Sequence, residues 1–161
     1  MSRFVHLHNH THYSLLDGAS TINGLINATV EHQMHAVALT DHGVMFGALE
    51  FYKKAKKAGI KPIIGCEAYI VPKGARSDKP QTSERESRKR GGELYHHLLL
   101  LAKDERGYRN LIKLCTLSHL EGYYYKPRLD LELLSKYHEG IVCTSACPIG
   151  IIGSYLVNND Y

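Results

Sequence analysis

Apolar runs and amphipathic stretches alternate along this chain, and the alternation predicts repeated βα units. Phe4 to His8 reads as a first strand. Ser20 is placed to cap a helix whose apolar positions, Ile22, Leu25, Ile26 and Val30, recur three or four residues apart. Ala36 to Thr40 is short and apolar, as a buried strand is. Gly47 to Ala58 predicts a second helix, with Leu49, Phe51, Tyr52 and Ala55 partly inward, Lys53, Lys54, Lys56 and Lys57 outward, and Gly59 as its stop. A third strand lies within Lys61 to Val71, with Pro62 at its edge. Tyr95 to Ala102 is apolar on both faces, the pattern of a parallel barrel strand. Asp104 can cap a helix reaching about His119, with Tyr108, Leu111, Ile112 and Cys115 on one face, and Asp130 can cap another near Leu131 to Tyr137. Gly140 to Thr144 predicts a fifth strand and Ile149 to Val157 a last short helix. No internal repeat and no second domain is visible, so residues 1–161 read as one domain.

Polar residues of metal-ligand type sit where the apolar runs end. His8 and His10 follow the first run, Asp41 and His42 the second, Glu67 interrupts the third, and Cys147 follows the fifth. In βα architectures, sites gather at the carboxyl ends of strands, which predicts that these residues share one face. The first forty-two residues hold seven histidines, four of them at alternate positions: His6, His8, His10 and His12. A strand sends alternate side chains to one side, and neutral imidazole is the commonest biological metal ligand. Taken alone, a His-x-His pair or Asp41-His42-Gly43 suits an ordinary surface as well as a metal site. Glu67 between Cys66 and Ala68 adds weight, because a buried acid is rare unless paired or metal-bound.

Composition narrows the class. A length of 161 residues, 43% hydrophobic and 22% charged, is ordinary for a globular domain with a real core. No run approaches a membrane span and no signal-peptide pattern precedes Phe4. Cys66, Cys115, Cys143 and Cys147 form no CxxC pair, so the expectation is free thiols in a cytoplasmic protein. The net charge of +4 is concentrated: residues 72–93 carry seven Lys or Arg against four acids. That segment reads either as a solvated connector or as a surface for a phosphate backbone, with Arg76, Lys79, Arg85, Arg88, Lys89 and Arg90 as the DNA-binding candidates.

Motifs along the whole length carry a resemblance. His8-x-His10-Thr11-x-x-Ser14-x-x-Asp17-Gly18 comes first, then Thr40-Asp41-His42-Gly43 with Phe46-Gly47-Ala48-x-Glu50-Phe51-Tyr52. Gly59-Ile60-Lys61-Pro62-Ile63-x-Gly65-x-Glu67 follows, then His97-Leu98-x-Leu100-Leu101-Ala102-Lys103, Gly107-Tyr108-x-Asn110-Leu111, Glu121-Gly122-Tyr123-Tyr124-x-Lys126-Pro127-Arg128 and Ser145-Ala146-Cys147. Together these resemble the polymerase and histidinol phosphatase (PHP) family, in its branch attached to bacterial replicative DNA polymerases. The resemblance implies a distorted (β/α)7 barrel with up to three divalent metal ions at its mouth. The implied ligands are His8, His10, Asp17, His42, Glu67, His97 and Cys147, with Glu67 bridging. Glu67 and Asp41 are the carboxylates implied in the chemistry, Asp41 by orienting a ligand. His6 and His12 are expected at the rim, and His96 facing away from His97. A mixed N/O/S set suits zinc first, and manganese or iron remain compatible.

The family's closing Asp-x-His motif is absent from these residues, and about five βα units are predicted. The expectation is therefore an incomplete N-terminal portion of the domain, with its last strands and the polymerase core lying beyond. Implied partners are the primer 3′ end of DNA, the rest of a polymerase chain and other replicase subunits, including a proofreading exonuclease subunit, with no membrane. Three functions compete: a metal-dependent 3′–5′ exonuclease, a non-catalytic bracing and docking module, and a histidinol-phosphatase-like phosphoesterase. The intact early ligands favour the first, and the stretches Phe46 to Tyr52 and Glu121 to Arg128 argue against the third.

Overall fold

The computed structural model describes residues 4–79, 94–148 and 150–157. Among the described residues, five helices pack against one mixed sheet. They are α1 (Ile22–Glu31), α2 (Ala48–Lys57), α3 (Glu105–Leu120), α4 (Leu131–Lys136) and α5 (Ile151–Val157). The strands are β1 (Ala36–Leu39), β2 (Lys61–Ile70), β3 (His96–Ala102), β4 (Tyr123–Tyr124), β5 (Lys126–Leu129) and β6 (Ile141–Thr144). The sheet runs β4-β5-β2-β3-β6, and β1 also pairs with β2. The length of β2 explains this branching. Its first half pairs in parallel with β1, its end pairs in parallel with β5, and its other edge takes β3.

Period-two alternation divides the sheet's faces. Cys66, Ala68 and Ile70 of β2 and Leu98 and Leu100 of β3 pack with Leu111 and Leu114 of α3, Leu129 of β5 and Leu133 of α4. A second cluster joins Ile22 and Ile26 of α1, Val37 and Leu39 of β1 and Phe51 and Ala55 of α2. The alternation leaves Glu67, Tyr69 and His97 on the opposite face of the sheet from the first cluster.

Several expectations are met and several corrected. Asp104 and Asp130 do cap α3 and α4, their carboxylates accepting from Gly107 N and Leu133 N. The cap of α1 is Thr21, not Ser20. Gly59 ends α2 in the left-handed conformation at φ 74°. The β3 strand is antiparallel to both β2 and β6, not parallel. An apolar run buried on both faces reads alike in either direction, so the pattern does not carry that choice. The segment Phe4 to His8 forms no regular strand. It joins β1 through Ala38 N to His6 O, while the Asn9 side chain and the Thr40 hydroxyl take the places of ladder bonds. The β4–β5 hairpin was not foreseen; Tyr125 makes its turn at φ 60°. No helix of the described residues is long and apolar enough to cross a membrane, and all four cysteines are free.

Candidate metal centre

Glu67 is the hub. The residue is 1% exposed, because it lies in the middle of β2 under the loops that follow β1 and precede α1. The chain after β1 continues the parallel pairing: Gly43 N donates to Glu67 O at 2.9 Å and Glu67 N to Asp41 O at 3.1 Å. That continuation sets His42 beside Glu67. His97 is the second residue of β3, and because β3 is antiparallel its first residues lie where β2 ends. Sites at the carboxyl ends of parallel strands can therefore include a residue at the start of an antiparallel one.

Four imidazoles converge on this carboxylate. His8 Nε2, His10 Nε2 and His42 Nδ1 each stand 3.0 Å from Oε2, and His97 Nδ1 stands 2.8 Å from Oε1. His8 and His10 nitrogens are 3.1 Å apart, and the His10 and His42 rings stack at 4.0 Å. Burial pushes the Glu67 carboxyl up, but the close imidazoles of His10, His42, His8 and His97 outweigh it and hold the group well below the ordinary carboxylate range. Burial likewise lowers the basicity of His42, and Glu67 and then Asp17 more than restore it, so its pKa is raised.

The donor set fits divalent cations. The two oxygens of Glu67 face two groups of ligand atoms: His8 with His10 on one side, His97 with Cys147 on the other. Cys147 Sγ is 3.7 Å from His97 Nδ1. Three nitrogens crowd one oxygen, more than its lone pairs can accept in good geometry, and buried His42 Nδ1 has no hydrogen-bond partner despite its 3.0 Å approach. Lone pairs aimed at a shared cation would account for both observations. Asp17 lies farther out, largely exposed, with Oδ2 2.9 Å from His42 Nε2.

Asp41 is buried yet reaches no ligand atom directly. It accepts from Thr11 N at 2.6 Å, from the Thr11 hydroxyl at 2.9 Å and from Ser14 Oγ at 2.8 Å. Ser14 Oγ in turn accepts from His42 N at 3.2 Å and lies 3.5 Å from His10 Nδ1. Asp41 thus holds the His10–Ser14 loop against the turn that presents His42. Sequence reading missed Ser14 and Thr11 as this link, although Ser14 stands in the quoted motif.

The other candidates are placed elsewhere. His96 is buried on the opposite side from His97, its Nδ1 3.3 Å from Ser154 Oγ. His6 lies beside Phe4 and His12 beside Tyr13. Arg76 is committed to acids: its guanidinium binds Asp130 at 2.9 Å and Glu121 at 2.5 Å. Lys79 is exposed, and Arg85, Arg88, Lys89 and Arg90 lie outside the described residues. Tyr69 was also missed. It is buried, with ring centroids 5.3 Å from His97 and 6.1 Å from His42. Burial first, then Tyr95 and Glu67, push its phenol well up, so it stays protonated at neutral pH.

The PHP domain family matches residues 6–161. The DNA polymerase III subunit alpha of Borreliella burgdorferi is 51% identical over 160 residues, 99% of this chain and 13% of that protein. The subunit of the same name from Aquifex aeolicus is 49% identical over 158 residues, 98% of this chain and 13% of that protein. The chain thus spans about one-eighth of the length of these relatives. A solved amidohydrolase from Chromobacterium violaceum shares 20% identity over 68% of this chain and 32% of its own, with a TM-score of 0.41.

Proposed function

The chain belongs to the PHP domain family, and we propose that it is the part of a bacterial replicative polymerase subunit that hydrolyses phosphodiesters with divalent metal ions, removing nucleotides from a DNA 3′ end. The observation that carries this reading is the two-sided use of Glu67, whose oxygens face different ligand groups. A carboxylate so placed suits bridging of two cations. His8, His10 and His42 would serve one side and His97 and Cys147 the other, with Asp17 completing the set through His42. Thiolate beside imidazole and carboxylate favours zinc. We read the mixed sheet as part of a distorted (β/α)7 barrel within a much longer cytoplasmic polypeptide. Its partners would be primer DNA, the polymerase core and other replicase subunits, and Lys79 with the basic residues from Arg85 to Arg90 would meet the phosphate backbone.

A divalent cation held here would supply Lewis-acid polarisation of a phosphoryl oxygen and a lowered pKa for water. The chain's own residues prepare the site. Glu67 stays ionised, so it offers negative charge without a proton to lose. Asp41 and Ser14 fix the approach of His10 and His42. The buried Tyr69 ring lies beside His97 and His42.

The test is hydrolysis of a 5′-labelled single-stranded oligonucleotide by the full-length polypeptide, with elemental analysis of the same preparation. Expected are bound metal, stepwise loss of 3′ nucleotides, and loss of both in Glu67→Gln. Cleavage of phosphate monoesters alone would transfer the site to phosphatase chemistry. Bound metal without any hydrolysis would leave a structural centre in a bracing module.

A further inference from the structure

The β4–β5 hairpin lies against the candidate metal centre, and nothing in the ligand set uses it. Pro127 of the hairpin packs on the turn after His42. A Cβ at Gly43 would come within 2.7 Å of Pro127 Cγ and 3.1 Å of the Tyr69 ring. Lys126 sets its ammonium group 5.4 Å from the Tyr69 centroid, one ring away from His42 and His97. No carboxylate of the described residues pairs with Lys126. A free cation thus borders a site built for a phosphodiester, and the charge is complementary.

The three tyrosines before it divide their roles. Tyr124 turns inward and packs with Tyr69, Leu94 and Tyr95, with the buried Arg128 guanidinium 5.2 Å from its ring. Tyr123 and Tyr125 are 57% and 52% exposed. The Tyr125 ring meets Tyr124 edge-on at 4.7 Å, so an aromatic surface runs from His97 through Tyr69 and Tyr124 to solvent. Tyr125 also holds φ at 60°, a strained conformation for a bulky side chain, which glycine would adopt freely. A turn needing only its backbone shape would gain nothing from tyrosine here.

We propose that this hairpin holds the unpaired 3′-terminal nucleotides of single-stranded DNA, with Tyr125 stacking a base and Lys126 contacting the adjoining phosphate. The proposal rests on the phosphodiesterase reading for its substrate. Stacking on an aromatic face tolerates any base, as removal of successive nucleotides requires. A duplexed end presents no free base face, so it must fray before it can engage.

The probe is an oligothymidylate ending in 5-iododeoxyuridine, with a phosphorothioate at its last linkage to resist cleavage. It is photocrosslinked to full-length, metal-loaded protein and the adduct is mapped by mass spectrometry. Tyr125 should carry the adduct, and a blunt duplex end should label it several-fold less. Tyr125→Phe should keep the labelling and Tyr125→Gly, which suits the backbone, should lose it. Lys126→Ala should lower the yield about tenfold, a loss in the range of one phosphate or stacking contact, with metal content unchanged. Adducts confined to other residues, or a KM on single strands unchanged in Tyr125→Gly, would overturn the proposal. If Tyr125 is labelled but no nucleotide is released from an unmodified strand of the same sequence, the hairpin stands and the hydrolytic reading fails. If nucleotides are released without labelling of Tyr125, the hairpin fails alone.

Discussion

Removing the Asp41 carboxylate should disturb the metal centre without touching a ligand. In Asp41→Ala the buried Thr11 N–H loses its 2.6 Å acceptor, and the Thr11 and Ser14 hydroxyls lose theirs. An unsatisfied buried donor costs about 1–3 kcal/mol. The two hydroxyls can rotate toward other acceptors and the amide cannot, so the total should fall at about 2–5 kcal/mol. Ser14 then no longer holds the His42 backbone N–H or sits by His10 Nδ1, and outer partners of this kind are worth roughly 10–100-fold in metal affinity. Asp41→Asn keeps one carbonyl oxygen for Thr11 N and Ser14, loses only charge assistance, and should cost about 1 kcal/mol. The assay is competitive zinc titration against a chromophoric chelator, with urea unfolding in parallel. Ser14→Ala provides a variant that should fold and still weaken zinc. Wild-type zinc affinity in Asp41→Ala and Ser14→Ala would refute the positioning role, whatever their stability.

Other substitutions probe separate parts of the argument. Glu67→Gln should reduce bound metal by at least one ion per chain, read by elemental analysis; retention of the full complement would show that the two ligand groups do not share this carboxylate. Asp130→Ala should destabilise by about 3–5 kcal/mol, because it strips the α4 cap and leaves Arg76 without its inner acid. Burial pushes the Asp130 carboxyl up, but the Arg76 and Leu133 amides and the Arg76 guanidinium prevail and lower it. Its contribution is therefore complete above the unfolded carboxylate value of about 3.9 and disappears as pH falls through the lower folded value. Urea midpoints of wild type and Asp130→Ala should differ by a constant amount near neutrality and converge below about pH 4; a gap that persists there removes the ion pair as its source. Gly43→Ala should cost at least about 1–2 kcal/mol from its φ of 64° alone, with the Pro127 clash added. The same variant should raise KM for single-stranded DNA more than it changes metal content, since it displaces the hairpin.

The local rules were readable along the chain. The three- and four-residue spacing of Ile22, Leu25 and Ile26 marks α1, and the carboxylates of Asp104 and Asp130 mark the starts of α3 and α4 because an N-cap acts on amides two or three residues away. The donor types were readable too: His8, His10, His42, Glu67, His97 and Cys147 stand out by chemistry and by the family motifs around them.

What needed the folded chain was everything decided by contacts between distant residues. Strand direction is one case, since the run from His96 to Ala102 is apolar on both sides and lies equally well either way until β2 and β6 are present to pair with it. The hairpin at Tyr125 is another, because its turn breaks the preference of a tyrosine for negative φ and is held by contacts with distant residues, among them Pro127 against Gly43 and Tyr124 against Tyr69. Asp41 was expected to orient a ligand, and the fold decides the partners through which it would do so, Thr11 and Ser14 some thirty residues earlier in the chain. Sequence fixes which atoms can bind a cation, a property of each side chain alone; where their lone pairs meet is set by the pairing and packing of β1, β2 and β3, which no single segment contains.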